Sequence, residues 1–373
     1  MYLLFTLEYP PFKGGVANYY GNIVKFWPSS DSKSVSDIIV LRNNDNILLK
    51  NWLWPKWLPA VWQLLQTIKK KKIKHILVGH ILPLGSVAYC AAQFTKTPYS
   101  VILHGMDFTY ALRTSRKKWL VKKILNKAQN IICANSYVAG LVGNFLSDKN
   151  TDKIIIVNPG IKSRVTRNME HVTQLKKKYN LQNKIVLFSL GRLVKRKGFD
   201  KVIKALPKVL KNTPNLAYVI AGTGPDKEYL KKCLNNLRQN AQKKIIFLDK
   251  IFEHEKCAWL DLCDIFIMPA RNINGDFEGF GIVYLEANLY GKPVIAGHSG
   301  GIMDAVQDGV NGLLVNPESV SDIANAIIKL SRDKKLRKKL GERGKERAVC
   351  EFNWEKQVRI IYDLIKKSNR PVA

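Results

Sequence analysis

Short, unbroken runs of apolar and β-branched residues recur along this chain, separated by longer stretches with helical periodicity. The runs include Ile76–Val78, Tyr99–Leu103, Ile131–Ala134 and Ile154–Val157, then Ile185–Ser189, Ala217–Ala221, Lys244–Leu248, Ile265–Met268 and Pro293–Ala296. Between the later ones lie helical patterns at Asp200–Leu210, Lys227–Asn240, Ile282–Leu289 and Val320–Ser331. A run that does not alternate apolar with polar predicts a strand covered on both faces. Strands alternating with helices at this spacing predict parallel α/β sheets. Met1–Glu8 reads as a first buried strand rather than a signal peptide, because it lacks a basic start and meets an acidic residue early. No stretch of about 18 uncharged apolar residues is present to cross a bilayer.

At 373 residues the chain exceeds one compact core, so two domains are expected. The break falls near residues 158–167, where Asn158-Pro159-Gly160 is a turn signal followed by a polar basic stretch. This predicts an N-terminal Rossmann-like domain over residues 1–164 and a second from 165. Two such sheets facing each other would leave a cleft at the carboxyl ends of their strands, where open α/β sheets place ligands.

The formal net charge of +32 directs the chain towards anionic partners: nucleic acid, anionic lipid or phosphorylated small molecules. Residues 1–164 carry 23 Lys+Arg against 7 Asp+Glu, so positive charge is denser there. The six cysteines form no CxxC pair and no Cys/His metal spacing, which fits buried thiols in a reducing, cytosol-facing compartment.

Five motifs carry the chemistry. In Asp276-Phe-Glu278-Gly-Phe-Gly281-Ile-Val-Tyr-Leu-Glu286, glycines flank the opening of a helix, where bare N–H groups can approach an anion. Glu286 falls inside that helix and suits a ribose diol; Glu278, on the loop before it, suits a different part of the same ligand. In Gly191-Arg192-Leu-Val-Lys195-Arg-Lys197-Gly198, Arg192 and Lys197 follow a strand and can neutralise a diphosphate, one by a forked hydrogen bond and one as a point charge. Ala221-Gly222-Thr-Gly224-Pro225-Asp226 is a tight strand-to-helix turn; Lys227 stands where a dinucleotide fingerprint needs glycine, which disfavours NAD. Gly14-Gly15 follows the first strand and allows close approach to a phosphate. His104-Gly105-Met-Asp107 follows the strand Tyr99–Leu103 and points to a site at its carboxyl end.

These motifs together resemble glycosyltransferase family 4, retaining nucleotide-sugar-dependent enzymes of the GT-B fold, and are most similar to its phosphatidylinositol mannosyltransferase and lipopolysaccharide glycosyltransferase branch. The likeness covers essentially the whole chain and includes Ser299-Gly-Gly301, Asp308-Gly-Val-Asn-Gly312-Leu-Leu-Val and Phe352-Asn353-Trp354. It implies a nucleotide-sugar-binding domain over 165–350, an acceptor-binding domain over 1–164, and a C-terminal helix over 351–373 crossing back to the first domain. It implies that Arg192 and Lys197 hold the donor diphosphate, Glu286 the ribose and Glu278 the sugar. The backbone of Gly279, Phe280, Gly281 and Ile282 would complete the sugar site, Gly15 would lie against the diphosphate, and Ile251 would flank the base. His104 would contact the sugar at the reaction centre. Anomeric retention, with the leaving phosphate accepting the acceptor's proton, and a lean to GDP-mannose rest on the resemblance alone.

The chain contains no Asp-x-Asp motif, so no metal and no cofactor are expected, and Arg192, Lys197 and the helix N-terminus at Gly281 must stabilise the leaving diphosphate. One segment lies outside the plain α/β pattern. Lys50–Lys74 holds Trp52, Trp54, Trp57 and Trp62 beside Lys69, Lys70, Lys71 and Lys72, and Arg113–Lys127 is a second basic helix around Trp119. Interfacial tryptophans with clustered lysines predict binding to an anionic membrane surface, here the cytosolic face, with a lipid-linked or glycan acceptor. Two other readings compete: a nucleotide-sugar-processing enzyme of the same fold, such as an epimerase, and a basic nucleic-acid-binding protein. No nucleic-acid motif accompanies the charge, so nucleic acid is not an expected partner.

Overall fold

The computed structural model describes residues 1–12, 14–28, 37–43, 47–50, 53–147, 150–162 and 165–368. The chain divides into two compact units, Met1–Gly160 with Trp354–Ala373, and Ile161–Asn353. The divisions fall at 160/161 and 353/354, a few residues from the 164/165 and 350/351 expected.

The first unit is a parallel sheet of β1 (Tyr2–Thr6), β2 (Ile38–Arg42), β3 (His75–Val78), β4 (Tyr99–Leu103), β5 (Asn130–Cys133) and β6 (Ile154–Ile156), in the order β2-β1-β3-β4-β5-β6. β3, β4 and β5 are buried at every position, which is why their sequences run apolar without alternation. The helix Leu84–Thr95 packs between Leu58–Lys71 and Ser115–Lys127. Leu58–Lys71 buries Ala60, Leu64 and Ile68, one side chain per turn, and ends in Lys69, Lys70 and Lys71, cations suited to a helix C-terminus. Side-chain caps mark other starts: Thr114 accepts from Lys117 N–H, and Asn135 from Val138 N–H. The last helix, Trp354–Ser368, belongs to this unit, burying Trp354, Val358, Ile361 and Ile365 against Tyr19, Tyr20 and Ile23.

The second unit is a parallel sheet of β7 (Ile185–Leu190), β8 (Leu216–Ala221), β9 (Ile245–Leu248), β10 (Ile265–Met268), β11 (Val294–Gly297) and β12 (Gly312–Val315), in the order β12-β11-β10-β7-β8-β9. That is a doubly wound order whose direction reverses between β7 and β10. Two expectations need correction. The helix predicted over Lys227–Asn240 stops at Asn235, and a separate turn spans Gln239–Gln242; Asn235-Asn236 are poor helix formers. The sequence pattern also leaves Lys334–Glu351 unassigned. It is an 18-residue helix whose buried positions are only Leu340, Gly341, Gly344 and Ala348, too sparse to print a periodic signal among its lysines and arginines.

Candidate active site

The reversal between β7 and β10 concentrates chemistry at their carboxyl ends. The segment after β7 runs Gly191–Gly198 and the segment after β10 runs Pro269–Gly281. They are stitched together: Arg271 N–H donates to the Arg196 carbonyl at 2.7 Å. Gly198 sits at φ +75°, and a Cβ there would lie 2.1 Å from the Pro269 oxygen, so only glycine permits this approach. Across the seam, Arg196 Nη1 and Lys197 Nζ both donate to Glu278 Oε2, at 2.5 and 2.6 Å, and Arg196 Nε meets Asp276 at 3.1 Å. Burial alone would raise the Glu278 carboxyl, but the Lys197 ammonium and the Arg196 guanidinium outweigh it and hold it below the usual carboxylate range. Both cations converge on one oxygen, so among the described residues Oε1 keeps its lone pairs and can accept from a ligand hydroxyl. Lys197 uses one of its three donors and keeps two for an anion. The Glu278 carbonyl is fixed in turn by Gly301 N–H at 3.1 Å. Gly300, at φ +59°, passes so close that a Cβ would lie 2.6 Å from that carbonyl. The Ser299–Gly301 turn is thus a clamp on the Glu278 loop.

Beside this cluster a pocket of about 520 Å³ opens at the ends of β7, β8 and β9, lined by Arg192, Gly222, Thr223, Gly224, Lys250 and Ile251 among others. Its floor is backbone against backbone: a Cβ on Gly222 would lie 1.9 Å from the Gly191 oxygen, and one on Gly224 2.3 Å from the Leu193 oxygen. The volume suits a nucleotide-sized ligand. Arg192 and Ile251 therefore line one pocket. Lys197, Glu278 and Glu286 do not line it; Lys197 reaches it only through Gly191, its Cε lying 3.7 Å from where a Gly191 Cβ would be.

Glu286 lies in the helix Ile282–Leu289, which Gly281 opens at φ +79°. Its carboxylate is held by Lys256 at 2.7 Å, and Lys256 also meets Glu253 at 3.0 Å. Burial would lower the Lys256 ammonium, but Glu286 and Glu253 raise it overall. Asn288 and Asn311 are both fully buried: Asn311 Nδ2 donates to Asn288 Oδ1 at 2.7 Å, Asn288 Nδ2 donates back to the Asn311 carbonyl at 3.1 Å, and the pair locks this helix to the start of β12. Sequence reasoning missed Arg196, Asp276 and Lys256. Arg196 is adjacent to Lys197, but nothing in a run of three cations says which side chain turns to the carboxylate.

In the first unit, His104 stands directly after β4. Its Nε2 lies 2.8 Å from the Tyr20 hydroxyl, and that hydroxyl donates its only proton to the Gly79 carbonyl at 2.5 Å. The phenol oxygen must therefore accept from His104 Nε2–H, which leaves Nδ1 as the bare, accepting nitrogen. Burial keeps the imidazole below its ordinary value, with Asp107 opposing, so it is neutral at pH 7. Asp107 Oδ1 accepts from the backbone N–H groups of His104 and Gly105, at 3.1 and 2.9 Å, and fixes the turn. A neutral imidazole with Nδ1 as its accepting nitrogen suits a substrate hydroxyl. Gly15 begins the helix Gly15–Lys25, and a Cβ there would meet nothing within 4 Å.

Of the aromatic and basic segment, Trp52 lies outside the described residues. Trp54 is 92% exposed, Trp62 58% and Trp119 65%, while Trp57 is only partly exposed. Lys69, Lys70, Lys71 and Lys72 are all exposed. Among the described residues, no helix is long and apolar enough to cross a membrane.

The profile of the family described as "Glycosyl transferases group 1" matches residues 171–347. An uncharacterized glycosyltransferase of Methanocaldococcus jannaschii is 32% identical over 73% of this chain and 68% of its own length. The GDP-mannose-dependent alpha-(1-6)-phosphatidylinositol monomannoside mannosyltransferase of Mycobacterium tuberculosis is 26% identical over 98% of this chain and 97% of its own. Among solved structures, Anabaena HepE in complex with UDP-glucose superposes with a TM-score of 0.77, covering 98% of this chain and 100% of that one at 19% identity.

Proposed function

The chain belongs to the group 1 glycosyltransferases of the GT-B fold, and from that premise we propose that it transfers mannose from GDP-mannose to a lipid-linked or glycan acceptor at the cytosolic face of a membrane, with retention and without a metal. The observation that carries this reading is the convergence of Arg196 and Lys197 on Glu278 beside the Arg192–Ile251 pocket. In that arrangement the pocket takes the nucleoside, and Arg192 with the two remaining Lys197 donors takes the diphosphate. Glu278 Oε1 accepts from a hydroxyl of the transferred sugar. As the glycosidic bond breaks, charge grows on the leaving phosphate, and preorganised cations there stabilise it without reorganising. The leaving phosphate then takes the acceptor's proton. Glu286 takes the ribose hydroxyls after exchanging part of its contact with Lys256. His104 Nδ1 accepts from the sugar.

GDP-mannose is favoured over UDP-linked sugars by the name of the mycobacterial relative, which is similar over nearly the full length of both chains. Peripheral membrane action is supported by Trp54, Trp62 and Trp119 standing in solvent beside exposed lysines, where a core role would have buried them. Thermal-shift and turnover screening against GDP-mannose, UDP-glucose and their relatives tests the donor assignment; stabilisation by UDP but not GDP would move the reading to a UDP-sugar.

A further inference from the structure

At the carboxyl ends of β1 and β3 the first sheet has its own reversal of strand order. Glu8 follows β1 and His80 follows β3. The Thr6 hydroxyl donates to the Glu8 carbonyl at 3.0 Å and accepts from Glu8 N–H at 3.2 Å, which sets the direction of the Glu8 side chain. Leu7 N–H points at His80 Nδ1, 3.5 Å away, leaving the imidazole proton on Nε2. That nitrogen stands 3.7 Å from Glu8 Oε1. Glu8 Oε2 turns the other way, 3.7 Å from where a Gly14 Cβ would be, so the carboxylate lies between the Gly14-Gly15 turn and His80. The Tyr20 ring is 6.3 Å from the His80 ring and 5.4 Å from that of His104. Gly79 permits this crowding; a Cβ there would lie 2.8 Å from Tyr20 and 2.9 Å from the Thr6 hydroxyl.

The pair is not explained by stability. Its side chains are 14% and 34% exposed and its separation is long, so it is worth little as a salt bridge. Among the described residues it does leave a carboxylate with unused lone pairs at the strand ends, where the Tyr20 ring meets both His80 and His104. Contact with His80 lowers the Glu8 carboxyl, against the effect of burial, so it stays an acceptor of hydrogen bonds at neutral pH.

We propose that Glu8, steadied by His80, binds the hydroxyl group of the acceptor that receives the sugar, and so orients a polyol acceptor for attack. Glu8 touches the acceptor; His80 is a positioning residue. The assignment rests on the sugar-transfer reading above and adds the residues that discriminate acceptor from water.

The test uses the full-length protein with GDP-mannose and, as acceptor, phosphatidylinositol monomannoside in phosphatidylglycerol vesicles. Transfer to lipid and hydrolysis of donor by water are measured in parallel for wild type, Glu8→Gln and His80→Gln, with thermal melts confirming folding. For Glu8→Gln we expect the acceptor KM to rise roughly 10- to 100-fold, the loss of a hydrogen bond to a charged group. The GDP-mannose KM and the hydrolysis rate should stay at wild-type values. His80→Gln should shift the acceptor KM in the same direction by less. Equal losses in hydrolysis and transfer would place Glu8 on the donor or in the scaffold and overturn the assignment, as would an unchanged acceptor KM. If Glu8→Gln does not fold, the same split is read from His80→Gln. A wild type that binds neither GDP nor UDP would overturn the sugar-transfer reading and this assignment with it; a wild type that transfers normally isolates the fate of Glu8.

Discussion

Lys197 and Arg192 carry equal formal charge but sit in different surroundings, so their substitutions should part company. Arg192 lines the pocket and has no ion-pair partner among the described residues; Arg192→Ala should leave the melting temperature unchanged while turnover falls about 30- to 1000-fold, the value of one charge-stabilising donor at roughly 2–4 kcal/mol. Lys197 is 9% exposed and bound to Glu278. Lys197→Ala should cut turnover similarly and also lower the melting temperature, because it leaves a buried carboxylate with Arg196 alone. A Lys197→Ala variant with wild-type turnover would remove the residue from the site. Glu278 adds a pH signature. Its folded carboxyl titrates below the unfolded value, so its contribution is complete above about pH 4.3 and drains away as pH falls through the lowered folded value. Melts of Glu278→Gln from pH 7 to about pH 3 should show a lower midpoint at neutral pH but a shallower acid slope than wild type. Parallel slopes would contradict the ion pair. The proposed division of labour, ribose to Glu286 and sugar to Glu278, is read by calorimetry with GDP, which should find Glu286→Gln the weaker binder and Glu278→Gln little changed.

Among the elements, the Ser299–Gly301 turn shows what local sequence reveals and what it hides. Its glycines stand in the sequence only as part of the family likeness, and their purpose, clamping the Glu278 carbonyl 22 residues upstream in the chain, depends on β11 lying beside β10. Gly300→Ala combines a positive φ with a 2.6 Å clash against that carbonyl, so it should cost about 1–3 kcal/mol of stability and turnover together. The strands were the most readable elements, since burial on both faces writes itself directly into unbroken β-branched runs. Helix ends were less so, as the early stop at Asn235 shows. Arg192, Glu278 and His104 were visible because glycines and strand ends mark them out. Arg196, Lys256, Glu8 and His80 were not, because their partners are 82, 30 and 72 residues away, and single-sequence periodicity holds no record of pairings across strands.

For the whole molecule, the proposed membrane binding rests on the charge of +32 and the exposed tryptophans together. The first unit's Leu58–Lys71 and Ser115–Lys127 helices turn Trp62, Trp119 and their lysines to solvent, and each lysine near an anionic surface contributes about 1 kcal/mol. The protein should sediment with phosphatidylglycerol vesicles and not with phosphatidylcholine vesicles, less so as salt rises. Replacing Lys69, Lys70, Lys71 and Lys72 with Ser should abolish this without unfolding the chain, since all four are exposed; undiminished sedimentation of that folded variant would remove the segment as the anchor. The sugar-transfer account stands most directly on one measurement. The protein is incubated with labelled GDP-mannose and phosphatidylinositol monomannoside vesicles in excess EDTA, and label in the lipid and free GDP are followed together. We expect both to rise in step, at a rate EDTA does not change and Arg192→Ala suppresses. No GDP release and no labelled lipid, with the same silence from UDP-linked sugars, would contradict it.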